Sequence, residues 1–218
     1  MITETWIADQ NDKDLAQDLS LGAGLGMLSR GRHKNNRGVA HGGVAVVWKE
    51  GEVNMRKIKM NVRNDDDFEV LTVAGSMTGH SRKLVVVACY LPPNYCKKKG
   101  QAALEYIAEV IVEVKKKYKD PYLFIAGDFN QWKIEEPLQD FMDIREVEVG
   151  DTRGSRCIDR IFSNLGRSVT ESGTLAPLET DEDEVRKSDH RVAFCRLRVP
   201  RLQSFTWETY SYLSLIHI

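Results

Sequence analysis

The chain has 218 residues, enough for one large domain, and 42% hydrophobic with 29% charged residues is an ordinary globular composition. A formal net charge of −1 excludes a protein drawn to nucleic acid or anionic lipid by its overall field, so any polyanion has to be met by local clusters. Cys89, Cys96, Cys157 and Cys195 show no CxxC spacing, which argues against a zinc site or disulfide scaffold and for reduced thiols in a nuclear or cytoplasmic setting. The opening MITETWIADQ lacks a signal-peptide pattern and no apolar run reaches membrane-spanning length, so the expectation is a soluble protein with no membrane partner.

Strand-like segments dominate the chain. GGVAVVWK (42–49), FEVLTVAGSM (68–77) and RKLVVVACYL (82–91) are rich in β-branched residues and bounded by Gly, Asp and Pro. Residues 100–120 carry Leu104, Ile107, Ala108, Ile111, Val114 and Tyr118 at helical spacing, with lysines in the last turns where the helix dipole favours them. YLFIAGDF (122–129) reads as a buried strand and EEPLQDFMDI (135–144) as a short helix or turn. RCIDRIFSN (156–164) and HRVAFCRLRV (190–199) complete the strands, and residues 178–189 read as an exposed acidic loop. Many strands with few helices predict one α/β domain with mixed sheets over residues 1–199, followed by an extension over 200–212. LSLIHI (213–218) reads as the translated end of a sequencing adapter and is set aside.

Several residues stand where an apolar segment meets a polar turn. In YLFIAGDFNQW (122–132), strand alternation would place Asp128 and Asn130 on one face and Phe129 on the other. A carboxylate and an amide there suit a water and a phosphate oxygen; an Asx-turn ending the strand suits them equally well. In KSDHRVAF (187–194), a His oriented by a carboxylate is a phosphate ligand or proton-transfer group, while a lone Asp-His pair is more often a surface turn. Glu4, in ITETW, is a hard carboxylate of the kind that holds Mg²⁺, though alone it fits a surface charge better. YLPPN (90–94) puts the Tyr90 hydroxyl at a strand end stiffened by two prolines. Asp159, between Ile158 and Ile161 in CIDRIF, needs a partner, and a salt bridge to a neighbouring Arg competes evenly with a functional role.

In chain order the sequence reads ETW, HGGVAVVWK, YLPPN, GDFN, IDRIF and SDHR, from about residue 2 to about residue 199. That series resembles the endonuclease/exonuclease/phosphatase superfamily, and most closely the apurinic-type endonuclease domain of non-LTR retrotransposons. The resemblance implies a four-layered α/β sandwich, two mixed β-sheets face to face with helices outside, and phosphodiester hydrolysis dependent on Mg²⁺, with Mn²⁺ as a substitute. By resemblance Glu4 binds the metal, Asp128 orients or deprotonates the attacking water, and Asn130 binds the scissile phosphate. His190 would stabilise the transition state, oriented by Asp159; Asp189 is a second acidic residue near the metal, and Tyr90 a phosphate-binding hydroxyl. Such domains open with a further strand and helix before ETW, so the expectation here is a sheet lacking its first strand and helix.

For substrate, SRGRHKNNR (29–37) has five basic residues counting His33 and no acid, the strongest local cluster for DNA phosphates. CKKKGQ (96–101) adds lysines, and VKKKYK (114–119) reads as a solvated helix end. The expected function is therefore a retroelement DNA endonuclease, with DNA as partner and a reverse transcriptase in the same polyprotein. The alternatives are a phosphatase or phosphodiesterase of the same superfamily acting on a phospholipid or small phosphoester, and a catalytically impaired fragment that at most binds nucleic acid.

Overall fold

The computed structural model describes residues 2–3, 23–31, 42–62, 68–176 and 189–199. Glu4, the basic residues 32–37, the acidic loop up to residue 188, the extension over 200–212 and the 213–218 hexapeptide lie outside the described residues. In chain order the elements are β1 (Ile2–Thr3), β2 (Leu25–Arg30), β3 (Val44–Lys49), β4 (Val53–Lys57), β5 (Glu69–Met77), β6 (Lys83–Tyr90), α1 (Lys97–Lys117), β7 (Tyr122–Asp128), α2 (Glu135–Leu138), β8 (Arg145–Val147), β9 (Asp159–Ser163), a 3₁₀ turn (Gly166–Ser168), β10 (Val169–Leu175) and β11 (Val192–Leu197). The fold is α/β, with few helices around a central mixed sheet.

That sheet has six strands in the order β4-β5-β6-β7-β9-β8. Its one parallel pair is β6–β7, joined through α1 as a crossover unit requires; the other pairings are antiparallel. A smaller sheet, β1-β3-β2, is antiparallel over its described strands, and β10–β11 form a separate ribbon.

Alternation gives the six-stranded sheet two buried faces. On one, Val85, Val87, Cys89, Leu123 and Ile125 meet Leu104, Ile107, Ile111 and Val114 of α1. On the other, Leu71, Val73 and Ala88 meet Val44 and Val46 of the smaller sheet. Helix, larger sheet and smaller sheet are thus stacked layers, as two-sided burial of near-continuous apolar strands demands. Among the described residues no helix is long and apolar enough to cross a membrane.

Residues 100–120 were expected to be helical; the helix spans Lys97–Lys117 instead. Pro92 and Pro93 block an earlier start, extended Cys96 caps the helix, and it ends before Asp120, whose φ of 49° and following Pro121 turn the chain into β7. Lys115, Lys116 and Lys117 occupy its last turn, where the dipole favours cations, but Lys97, Lys98 and Lys99 occupy the first, where it does not.

Candidate functional site

The strand registers build a row of polar side chains across one end of the six-stranded sheet. Glu69 of β5 pairs with Tyr90 of β6, Tyr90 with Asp128 of β7, and Asp128 with Asp159 of β9. Partners in register project to the same face, here the face toward the smaller sheet. Gly127 lets the row form, because a Cβ there would collide with the backbone of Cys89 on β6.

Asp128 is only 2% exposed. One of its oxygens accepts the backbone N–H of Asn130 at 2.8 Å, an Asx-turn that ends β7. Phe129 is fully buried on the opposite side, edge-on to Phe162. Asn130 does not share a strand face with Asp128 as alternation predicted. The strand stops at Asp128 and Asn130 adopts φ 47°, a left-handed conformation that Asn tolerates better than most residues. The Asp128 carboxylate meets the Asn130 backbone N–H, while the Asn130 amide donates to the Leu91 carbonyl at 3.0 Å, so the Asx-turn is formed.

His190 follows from β11's approach to β9. Its Nδ1 lies 2.8 Å from Asp159 Oδ2, and both side chains are largely shielded from solvent. Asp159 therefore finds its partner in a histidine, not in a neighbouring arginine. The hydrogen bond to Asp159 is the main cause that raises the His190 pKa above its ordinary value; burial opposes it, and the charges of Asp159, Asp128 and Asp189 reinforce it. Ligand atoms of Asp128, Asp159 and His190 all lie within 4.8 Å of one another.

Asp189 stands on the exposed rim. One oxygen lies 3.7 Å from His190 Nε2, while the other accepts from Arg153 Nε at 2.7 Å and pairs with Arg153 Nη2 at 2.6 Å. It is not one of the three clustered ligand groups. Asp128, Asp159 and His190 thus converge, with Asp189 beside His190, Tyr90 beside Asp128 in register and Asn130 joined through its backbone N–H; Glu4, the remaining expected ligand, lies outside the described residues.

Two residues that shape the site escaped the sequence reading. Thr152 is fully buried, and its hydroxyl oxygen accepts the backbone N–H groups of Ile158 and Asp159 at 3.1 and 3.0 Å. Its carbonyl accepts the Arg191 N–H at 2.7 Å, so one threonine ties the Asp159 strand to the His190 segment. Glu69, 5% exposed, accepts the Gly43 N–H at 2.6 Å and underlies Gly42, where a Cβ would strike both Glu69 and Tyr90. Gly42 and Gly43 have φ values of 93° and 91°, which only glycine adopts readily. A charge at an inward strand position, as in FEVLTV, was the available signal for Glu69.

Of the basic 29–37 cluster, Arg30 donates to the Val70 carbonyl at 3.0 Å and so serves the sheet packing. The rest of that cluster, residues 32–37, lies outside the described residues. Arg153 and Arg156 pair through backbone hydrogen bonds in the hairpin before β9, and the Arg191 backbone N–H donates to the Thr152 carbonyl of that hairpin. Chemically, the arrangement offers two hard carboxylates for a divalent cation, a histidine biased toward its charged form, and an Asp189–Arg153 ion pair at the rim.

The sequence profile of the Endonuclease/Exonuclease/phosphatase family matches residues 1–190. No curated protein sequence matches the chain. Among solved structures, a humanized D. rerio TDP2 is 14% identical with a TM-score of 0.59, over 89% of this chain and 83% of that one. A Bacteroides thetaiotaomicron mannosyl-6-phosphatase is 13% identical with a TM-score of 0.60, over 86% and 81% of the two chains. The human Nocturnin catalytic domain with bound sulfate is 12% identical with a TM-score of 0.57, over 82% and 73%. At such identities the likeness is one of fold.

Proposed function

We propose, from the premise that the chain belongs to the Endonuclease/Exonuclease/phosphatase family, that its cleft hydrolyses phosphodiester bonds with a divalent cation and that its substrate is DNA. The observation that carries this reading is the His190–Asp159 pair at 2.8 Å beside the buried carboxylate of Asp128. Asp128 and Asp159 offer oxygen donors of the kind Mg²⁺ prefers and Mn²⁺ accepts, Asp189 adds negative charge from the rim, and Glu4 is the further ligand expected from the sequence. A cation held there would offset the charge of the scissile phosphate.

The protein's own groups divide the remaining work. Asp128 orients the attacking water and takes up its proton. His190, held by Asp159 through Nδ1 and biased toward the charged form, turns Nε2 to the phosphate and opposes the negative charge that grows in the transition state. Asn130 and Tyr90 hold phosphate oxygens in line. On this reading Arg153, Arg156 and Arg191, whose backbones meet at the hairpin before β9, would turn to an extended polyanion rather than an isolated phosphoester. The motif series favours a retroelement endonuclease that nicks nuclear DNA, encoded in frame with a reverse transcriptase.

Supercoiled-plasmid nicking tests the reading. Mg²⁺ or Mn²⁺ should give open circles, EDTA should abolish them, and His190→Ala should abolish them in a folded protein. Nicking that survives EDTA, or cleavage confined to a phosphomonoester such as p-nitrophenyl phosphate, would overturn it.

A further inference from the structure

Residues 130–132 each place a side-chain donor on the carbonyls of residues 91–93. Asn130 Nδ2 donates to Leu91 O at 3.0 Å, Trp132 Nε1 to Pro92 O at 3.1 Å, and Gln131 Nε2 to Pro93 O at 2.6 Å. The Leu91 N–H donates to Asp128 O at 2.9 Å, so the loops leaving the parallel strands β6 and β7 are laced together by four hydrogen bonds. Pro92 and Pro93 have no N–H, which leaves each only its carbonyl for backbone hydrogen bonding.

Trp132 anchors this lacing. Its ring lies against Gly100 in the second turn of α1, where a Cβ would collide with the indole. Its backbone N–H donates to Phe129 O at 2.9 Å, closing the turn that contains Asn130. Asn130 sits in that turn at φ 47°, a conformation that non-glycine residues keep only where the surroundings enforce it. One N–H of its amide is committed to Leu91, so the direction of the other is fixed by the same lacing.

We propose that Trp132 is a positioning residue: by bracing the β7 turn against the Pro92 carbonyl and the Gly100 notch, it sets the amide of Asn130 toward the phosphate. The proposal rests on the phosphodiesterase reading of the cleft. It accounts for three features together: a glycine inside a helix, a Pro-Pro pair after Tyr90, and a tryptophan two residues beyond Asn130.

Trp132→Phe keeps an aromatic ring but removes the donor and shortens the reach toward Gly100. With bis(p-nitrophenyl) phosphate and Mg²⁺, kcat should fall about threefold to tenfold, the kinetic worth of one neutral hydrogen bond, while KM holds. In an Asn130→Ala background the same change should cost nothing more, because Trp132 acts through Asn130. Additive losses, or a change in KM alone, would overturn the proposal. Gly100→Ala approaches the brace from the other side, raises helix propensity, and should reproduce the kcat loss even if Trp132→Phe folds poorly; unchanged kcat in folded Gly100→Ala would also overturn it. Should the wild-type chain turn over neither this diester nor plasmid DNA, the phosphodiesterase reading fails, and the ¹⁵N-resolved side-chain amide of Asn130 decides the bracing. A shifted, faster-exchanging NH₂ pair in Trp132→Phe supports it, and an unchanged pair refutes it.

Discussion

On the helix-facing side of the six-stranded sheet, the chain stays apolar from Val85 to Leu91 in and after β6, and from Leu123 to Phe129 in and after β7. On the opposite side the same strands run through Val86, Ala88 and Ala126, then end in Tyr90 and Asp128. A period of two lets one strand serve both purposes. The helix side is anchored to its last residue by Leu91 and Phe129, at 1% and 0% exposure, which holds the strand ends rigid where the other side turns polar. The contrast separates burial, which sets stability, from the terminal polar row, which sets chemistry, although the two alternate residue by residue.

The sharpest break of that contrast is Asp128→Asn. The amide keeps an oxygen for the Asn130 N–H, so the turn survives and the melting temperature should stay within about 2 °C. Nicking should fall by about 10³-fold or more if Asp128 positions and deprotonates water as proposed. A large loss of melting temperature alongside the activity would mean that Asp128 serves the fold. Ile107→Ala probes the other side. Ile107 is fully buried in α1, and its truncation should cost about 2–5 kcal/mol of stability. The rate per folded molecule should stay within about twofold of wild type, since the side chain faces away from the polar row. Chemical denaturation paired with active-site titration measures both quantities.

Asp159→Asn lies between these extremes. Asp159 is the main cause of the raised His190 pKa, so the wild-type imidazolium persists above the ordinary histidine value of about 6.5. If the charged form is the active one, activity declines as pH rises through the raised value. In Asp159→Asn that decline should come at lower pH, with kcat reduced about tenfold to a hundredfold at neutrality. The stability sign follows from the same shift. A folded-state pKa above the unfolded one stabilises the protein fully below the unfolded value, and this is lost as pH rises through the folded value. The stability gap between wild type and Asp159→Asn should therefore narrow on the alkaline side. A pH–rate profile that does not move would remove Asp159 from the orienting role.

Much of this arrangement was legible in the sequence because each element carried its own local signal. β5, β6 and β7 announced themselves by β-branched runs, α1 by its helical period, and GDFN, IDRIF and SDHR by carboxylates set against apolar neighbours. β4 and β8 escaped, since VNMRK and REV are short, polar edge strands whose pairing comes from β5 and β9 and not from their composition. β10, VTESGTL, is solvated along most of its length for the same reason. Thr152 carries no motif and Glu69 only a charge at an inward strand position; what each one holds appears only when distant segments meet. Arg153, Arg156 and Arg191 were passed over because a run of charge such as 29–37 is visible in sequence, whereas the backbone proximity of 153, 156 and 191 is not.

The smallest expected effect is at Lys98. It is exposed in the first turn of α1, where the helix dipole opposes a cation, and it belongs to the CKKKGQ run that the sequence reading offered as a DNA contact. Lys98→Glu tests both ideas, which predict opposite outcomes. If α1 serves only the buried side of the sheet, the acidic side chain should raise stability by about 0.3–1 kcal/mol, a gain of roughly 1–3 °C. Plasmid nicking and its dependence on salt should then be unchanged. If Lys98 neutralises a phosphate, DNA affinity should fall, and the slope of log K against log salt should shrink by about 0.9 for the contact removed. Lys98 rather than Lys99 is the informative position, because the Lys99 ammonium lies 4.6 Å above the Tyr95 ring and its loss would disturb the loop beneath the cleft. An unchanged salt slope with a higher melting temperature would confine DNA contact to the polar-row side of the sheet.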